Sequence, residues 1–252
     1  MNPRTLLYDL ETSSIEAHVW KTWQTDVIRI IRDWDIICFA YKWLGEDKVH
    51  FVAQWDFDNF KPGVRNDKYV VEALWRLLNE ADVVIGHNSK SFDDKKSQAR
   101  MMVHNLPPPS PFRQIDTKLE MKRVSAHSSN SLKDLAKSLD LDPKDDPGGF
   151  DTWIDSMNGV KKAQKHFKKY NIQDVKTLEE LYLKLRPWIK NHPSMNLDPV
   201  QRDKCPKCGV AGKMQSRGFV IRKINKVRRF QCLSCGGWSQ ARKPEPVKEY
   251  PD

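Results

Sequence analysis

Four acidic residues in three short patterns have the types and spacing needed for metal chemistry. Asp9 and Glu11 are two residues apart in an apolar run with strand-like alternation, so both side chains point the same way. Asp93 ends an Asn-x3-Phe-Asp pattern that follows a buried-type strand. Asp174 comes four residues after Tyr170 on a predicted helix, which places the two about one turn apart on one face.

Carboxylates drawn together repel one another and raise each other's pKa values unless cations lie among them. Such a cluster suits Mg²⁺ or Mn²⁺, which prefer carboxylate oxygen and keep open positions for phosphate. Two ions about 4 Å apart stabilise both the attacking and the leaving oxygen of an in-line displacement at phosphorus. A tyrosine hydroxyl one turn from a metal-binding aspartate can orient the attacking water. Each pattern alone is common on solvated surfaces, and it is their order that favours a metal site.

Hydrophobic periodicity predicts the elements that carry these residues. Strands are expected at residues 5–11, 36–43, 48–52, 82–87 and 112–116, and helices at 67–80, 93–104, 131–139 and 161–188. The stretch from Trp20 to Asp33 is expected to be an insertion with some helical or loop content. Three strands followed by alternating helices and strands predict an α/β domain, a mixed sheet flanked by helices.

The three patterns, in this order, resemble the three motifs of the DEDD superfamily of 3′-to-5′ exonucleases, the proofreading type with a ribonuclease H-like fold. The match covers roughly residues 4 to 190. The resemblance implies that two Mg²⁺ or Mn²⁺ ions are held by four carboxylates, Asp9, Glu11, Asp93 and Asp174. It also implies that Tyr170 orients the water, as in the tyrosine subclass; the position of the histidine subclass is occupied by Lys169.

Residues 86–93 and the proline-rich residues 106–111 resemble stand-alone members from bacteriophages and bacteria. Asn88, at the start of the second motif, and Lys169, in a lysine run beside Tyr170, are predicted substrate contacts. The lysine run is equally well explained as a solvated helix face. Asp116, after a predicted strand, is expected to cap a turn rather than to support the metal site.

Charge and cysteine content divide the chain of 252 residues. The net charge is +10, but residues 201–252 contain 13 Lys/Arg and 4 Asp/Glu, so nearly all the excess lies there. We therefore expect an exonuclease domain over 1–195, a small second domain over 200–242 and a flexible tail over 243–252. No apolar run approaches the roughly 18 residues of a membrane span, which favours a cytoplasmic protein, in the host cytoplasm if phage-encoded.

Four of the five cysteines form two Cys-x2-Cys knuckles near the C-terminus, Cys205, Cys208, Cys232 and Cys235. Two such knuckles place four thiolates around one tetrahedral ion, and the segment resembles a zinc ribbon with one structural Zn²⁺. Disulfide pairing is the alternative, and it is disfavoured in an intracellular chain.

Basic and aromatic residues are interleaved around the second knuckle. Predicted substrate contacts here are Arg217, Arg222, Arg228, Arg229 and Phe230, with Phe219 and Trp238 nearby. Cations for phosphates and rings for base stacking favour single-stranded nucleic acid. The alternative is a positive face that solubilises the ribbon or docks a protein.

The leading hypothesis is a metal-dependent 3′-to-5′ exonuclease that acts on a nucleic-acid 3′ end, expected to be single-stranded, with DNA favoured by the resemblance. One alternative is an exoribonuclease, because the chemistry occurs at phosphorus. The other is a non-catalytic zinc-ribbon protein that binds nucleic acid on a nuclease-like scaffold.

Overall fold

A computed structural model describes residues 2–23, 25–142, 148–198, 200 and 203–246. The chain divides into two compact units, Arg4–Leu181 and Tyr182–Asp252 with Met1–Pro3. Most of the predicted tail, residues 247–252, lies outside the described residues. Across the described part of the chain, no helix is long and apolar enough to cross a membrane.

The first unit is a mixed sheet with helices, as the sequence predicts. Its strands are β1 (Thr5–Thr12), β2 (Glu16–His18), β3 (Arg29–Arg32), β4 (Ile36–Trp43), β5 (His50–Ala53), β6 (Val83–Gly86) and β7 (Arg113–Asp116). Its helices are α1 (Lys68–Glu80), α2 (Asp93–Val103), α3 (Thr117–Val124), α4 (Leu132–Ser138), α5 (Asp151–Met157) and α6 (Lys161–Leu185), which runs on into the second unit.

The central sheet has the order β5-β4-β1-β6-β7. Strands β5, β4 and β1 are antiparallel neighbours, whereas β6 and β7 run parallel to β1 and to each other. The strand with Asp9 and Glu11 is therefore central, with β4 on one side and β6 on the other. Pairing with β4 continues through Asp9 and Glu11, whereas pairing with β6 covers Thr5–Leu7, so β4 is the strand that holds the backbone under the acidic residues.

Alternation along β1 separates its core residues from its acidic ones. Leu6, Tyr8 and Leu10 are buried in a cluster with apolar residues of α1 and α2. Because alternate side chains point to opposite faces, Asp9 and Glu11 face the other side of the sheet. A second buried cluster on β4, β5, α5 and α6 includes Cys38, Met157 and Phe167.

The expected insertion at Trp20–Asp33 has the predicted loop content in its described residues up to Ile28, but Arg29–Arg32 form a strand that the sequence did not suggest. Strands β2 and β3 form an antiparallel hairpin. Its base is fixed by Glu16, which accepts hydrogen bonds from Arg32 and Arg65 at 2.7 and 2.8 Å. The hairpin side chains are mostly exposed, so hydrophobic periodicity carries no signal for it.

The second unit contains four short strands that follow the end of α6. These are β8 (Met214–Ile221), β9 (Asn225–Cys232), β10 (Trp238–Gln240) and β11 (Glu245–Pro246). Strand β8 pairs with β9 along its length, and β10 and β11 pair with successive stretches of β9. The sheet thus extends past residue 242, the predicted end of the ribbon.

Candidate active site

Three of the predicted metal-binding carboxylates meet between β1 and α6. Asp9 and Glu11 come from β1 and Asp174 from α6, and one ligand oxygen from each lies within 4.8 Å of the others. Asp174 is only 2% exposed, so its charge lies at the buried side of the cluster. We call Asp9, Glu11 and Asp174 the carboxylate cluster. Three hard oxygen donors at this separation fit a divalent cation such as Mg²⁺ or Mn²⁺.

Tyr170 borders the carboxylate cluster one turn before Asp174, as predicted. Its hydroxyl donates a hydrogen bond to Asp174. Burial and the charges of Asp174, Glu11 and Asp9 raise its pKa well above the usual value, so the phenol stays protonated. The edge of Trp153 on α5 packs against its ring, with centroids 6.3 Å apart. The hydroxyl is therefore held in place and neutral.

Asn171 is a site residue that the sequence analysis missed. It is fully buried on α6, and its Nδ2 donates hydrogen bonds to Asp9 Oδ2 at 3.0 Å and to Asp9 O at 3.3 Å. The amide thus fixes both the backbone and the carboxylate of Asp9 against α6. The sequence feature that could have identified Asn171 is its position directly after Tyr170 in the third motif.

Asp93 lies beside β1, and the structure does not group it with the other three carboxylates. It is 3% exposed, and its Oδ1 accepts a hydrogen bond from Leu10 N, between Asp9 and Glu11 on β1. The pairing of β1 with β6 ends at Leu7. Asp93 therefore accepts a hydrogen bond from the Leu10 amide, which lies beyond the stretch of β1 that pairs with β6. Burial, and then the charges of Asp94 and Asp116, raise its pKa to about 7.

A cleft of about 410 Å³ lies beyond the end of β1. Its lining includes Ser13 and Ser14, which follow Glu11 closely in the chain, but none of Asp9, Glu11 and Asp174. Trp153 also lines this cleft, and its ring contacts that of Tyr170. Trp153 is therefore the residue that the cleft and the surroundings of the carboxylate cluster share.

Comparisons with known proteins place this chain in a family. The family model described as RNase_H superfamily, RNase_H_2, matches residues 32–186. The chain belongs to the RNase H superfamily. The structure is similar to that of a family B DNA polymerase from the hyperthermophilic archaeon Pyrobaculum calidifontis, with a TM-score of 0.52 and 15% sequence identity. That match covers 74% of this chain and 25% of the polymerase chain. A comparison with curated proteins finds no match.

In this RNase H superfamily domain, Asn88 lies on a loop that Asp116 holds in place. Asn88 has a positive φ of 65°, a conformation that asparagine tolerates better than most residues. Asp116 accepts hydrogen bonds from the backbone amides of Asn88 and Lys90, at 3.0 and 3.2 Å. It also caps α3 through Lys118 N at 3.0 Å and Leu119 N at 3.2 Å. The predicted capping role of Asp116 is confirmed, and the cap also fixes the second motif.

The four C-terminal cysteines form a compact cluster in the second unit. Their sulfurs lie within 4.8 Å of one another, with Cys205 and Cys235 at 3.8 Å and Cys208 and Cys232 at 3.8 Å. A disulfide needs about 2.05 Å, whereas tetrahedral Zn²⁺ with bonds of about 2.3 Å spaces its sulfurs about 3.8 Å apart. The donor set and spacing therefore fit zinc, and all four cysteines are free thiols.

The predicted basic contacts do not form one surface. Arg228 lies directly across from Phe219, whereas Arg229 lies across from Gln240 on β10. Directly opposed side chains share a sheet face and adjacent residues do not, so Arg228 and Arg229 point to opposite faces. Phe230 shares the face of Arg228. Lys169 is exposed on α6 next to Tyr170.

Proposed function

We propose that the protein is a metal-dependent 3′-to-5′ exonuclease that hydrolyses the terminal phosphodiester bond of single-stranded nucleic acid, with DNA as the favoured substrate. The observation that carries this proposal is the carboxylate cluster beside a protonated tyrosine, built from residues more than 150 positions apart. RNase H superfamily membership supports nuclease chemistry in general.

Two Mg²⁺ or Mn²⁺ ions bound here would activate the attacking water and stabilise the charge on the leaving oxygen. Asp9, Glu11 and Asp174 are the residues that would hold them. We propose Asp93 as the fourth acidic contributor, because it contacts β1 at Leu10, between Asp9 and Glu11. Asn171 keeps Asp9 oriented while ions and substrate enter.

Tyr170 has the correct hydrogen-bonding state to orient a water molecule. Its only proton is donated to Asp174, so the phenol oxygen can accept a hydrogen bond from a water. The oriented water attacks the terminal phosphorus, and the bond from that phosphorus to the 3′ oxygen of the preceding nucleotide breaks. The products are a nucleoside 5′-monophosphate and a strand with a new 3′ hydroxyl.

In this proposal the second unit binds the nucleic acid. We propose that Cys205, Cys208, Cys232 and Cys235 hold one structural Zn²⁺, and that the basic sheet which this ion stabilises binds the strand. Such a division gives sequence-tolerant binding, because cations contact phosphates and aromatic rings contact any base.

A time course with 5′-labelled and 3′-labelled single-stranded DNA and RNA, in Mg²⁺, Mn²⁺ or EDTA, tests the proposal. We expect a metal-dependent ladder of progressively shorter 5′-labelled products, absent in Asp9→Ala and Asp174→Ala. Tyr170→Phe should slow cleavage less than either. An RNA-only ladder would make the protein an exoribonuclease, and intact binding without cleavage would support the non-catalytic alternative.

A further inference from the structure

The sheet of the second unit has two faces with different chemistry. We name them by their aromatic residues, the Phe219 face and the Trp238 face. Cross-strand pairing places Arg228 with Phe219 on one face, and Arg229, opposite Gln240, on the other. Arg228 and Arg229 are adjacent in β9, so they lie on opposite faces of the sheet but in the same strand.

Cations on the Phe219 face are already engaged within the protein. Lys226 and Arg228 both lie over the Phe219 ring, at 4.6 and 4.8 Å from its centroid. Arg228 also donates from Nε and Nη2 to Glu245 Oε1, at 3.3 Å each. A carboxylate thus pairs with the central arginine of this face, and two cations lie over its aromatic ring, which is half-buried. A polyanion approaching this face would have to displace both contacts.

On the Trp238 face the arginines contact neutral groups. Arg229 lies over the Trp238 ring at 5.3 Å, and its Nε donates to the backbone oxygen of Arg217 at 2.7 Å. Arg222 donates to Gln240 Oε1 at 3.1 Å. These contacts hold the guanidinium groups in place without cancelling their charge.

The carboxylates of residues 203–246 do not contact the arginines of the Trp238 face. Within the described residues 203–246 the acidic residues are Asp203 and Glu245. Glu245 contacts Arg228, and Asp203 accepts a hydrogen bond from Gly212 N at 3.0 Å. In that range, the Trp238 face therefore combines uncompensated positive charge with an aromatic ring that is 45% exposed.

We infer that the Trp238 face is the nucleic-acid-binding surface of the second unit, with Arg222 and Arg229 contacting phosphates and Trp238 stacking on a base. This inference rests on the proposed function for the identity of the ligand. Arg228, Phe219 and Phe230 then have a structural role. Guanidinium groups already fixed by neutral partners lose little further freedom on binding, which favours them as phosphate contacts.

Matched variants on adjacent residues test the assignment. The full-length Asp9→Ala protein is titrated onto a fluorescent 20-nucleotide single strand, and anisotropy gives Kd at several salt concentrations. Arg229→Gln should weaken binding about 5- to 10-fold, and the slope of log K against log salt should become shallower by about 0.7. Arg228→Gln should change Kd less than about twofold and leave the slope unchanged.

A second matched pair separates stacking from charge. Trp238→Leu should weaken binding at least about fivefold with no change in the salt slope, because base stacking is not ionic. Phe219→Leu should leave binding unchanged. Zinc content is measured for every variant to show that the sheet has kept its metal. Arg222→Gln tests a second proposed phosphate contact, which lies outside β9.

The inference is overturned if Arg228→Gln and Arg229→Gln weaken binding equally, if only Arg228→Gln does, or if the parent does not bind single strands. Binding only to an acidic protein would overturn it as well. Cleavage by the wild-type protein is scored separately. A wild-type enzyme that cleaves while Arg229→Gln binds normally would refute the face assignment alone. The expected binding pattern without cleavage would refute the exonuclease proposal alone.

Discussion

Asn171 shows how a single buried amide can govern the carboxylate cluster. It donates to Asp9 from the helix that carries Asp174, so it links two sides of the cluster. Its Oδ1 is buried and has no hydrogen-bond partner among the described residues. The contact of Asn171 with the carboxylate cluster is therefore made by its Nδ2.

Replacing Asn171 should impair catalysis without unfolding the protein. We expect Asn171→Ala to lower kcat about 10- to 100-fold and to raise the Mg²⁺ concentration needed for half-maximal activity, since partners of metal ligands act on this scale. The measurement is cleavage across a Mg²⁺ titration, with Gln173→Ala on the same helix as the control. Unchanged Mg²⁺ dependence in Asn171→Ala would show that the amide does not position Asp9.

His192 in the second unit is held as a neutral imidazole. Its Nδ1 lies 2.7 Å from Pro193 O, which can only accept, so the ring proton is on Nδ1. Nε2 then accepts from the Tyr182 hydroxyl at 2.9 Å. Burial lowers the His192 pKa from 6.5 to about 4.

This depressed pKa predicts a pH-dependent loss of stability. Between pH 6.5 and 4 the unfolded chain binds a proton at His192 that the folded chain excludes, so stability is full above pH 6.5 and falls as the pH drops. The loss is up to about 3 kcal/mol. In urea unfolding with excess zinc at pH 7.5 and 4.5, His192→Gln should lose less stability than wild type. Exposed His18→Gln should behave as wild type, and parallel losses in all three proteins would contradict the prediction.

At the scale of elements, the capping residue Asp116 connects α3 to the loop of the second motif. It receives four backbone amides, from Asn88, Lys90, Lys118 and Leu119. An ordinary N-cap such as Ser131 on α4 accepts one backbone amide, from Asp134. The two caps should therefore differ in how much stability they contribute.

We expect Asp116→Ala to reduce the free energy of unfolding by about 2–4 kcal/mol, because four buried or half-buried amides lose their acceptor. Ser131→Ala should cost about 1 kcal/mol. Chemical denaturation measures both. Equal losses would mean that the Asn88 loop does not depend on Asp116.

Elements with a buried apolar face were predictable from the sequence, and elements with few buried apolar residues were not. The five strands of the central sheet and helix α6 follow from apolar periodicity, although α6 ends at Leu185, before Pro187, rather than at residue 188. Helix α3 begins directly after β7 without a loop, and α3 and α5 each bury one apolar side chain, Met121 and Met157, so neither gives a clear period.

The candidate site was predictable to a similar extent. Motif order identified the residues of the carboxylate cluster, but not Asn171, whose importance depends on a contact across 162 residues. The ribbon sequence likewise identified basic and aromatic residues without showing that β9 directs Arg228 and Arg229 to opposite faces. Alternation alone separates the two arginines once β9 is a strand, but the partners that share each face depend on strand register, which the cysteine spacing does not specify.

For the whole molecule, the contrast between the two units predicts different dependence on metal. Arg4–Leu181 has two buried apolar clusters around its sheet. In the second unit, Tyr182, Leu185, Ile189 and Met195 are buried before the ribbon begins. Among the described residues of the ribbon itself, the buried apolar side chains are Cys205, Val227 and Cys232, too few for a self-sufficient core. Lys207 stabilises the first knuckle by donating to the backbone oxygens of Pro187 and Ile189, at 2.5 and 2.7 Å. The sheet should therefore rely on zinc for its folding free energy.

Removing one zinc ligand should unfold the ribbon and leave the first unit folded. In Cys232→Ser we expect bound zinc to be lost and amide exchange in β8 and β9 to become fast, while β1 and β4 keep their protection. Cleavage should show a raised KM with kcat nearly unchanged, because the carboxylate cluster belongs to the other unit. Cys38→Ser is the matched control, since Cys38 is fully buried in β4 and its replacement should keep zinc and weaken protection in the central sheet instead. Retained protection of β8 and β9 in zinc-free Cys232→Ser would show that the ribbon folds without its metal.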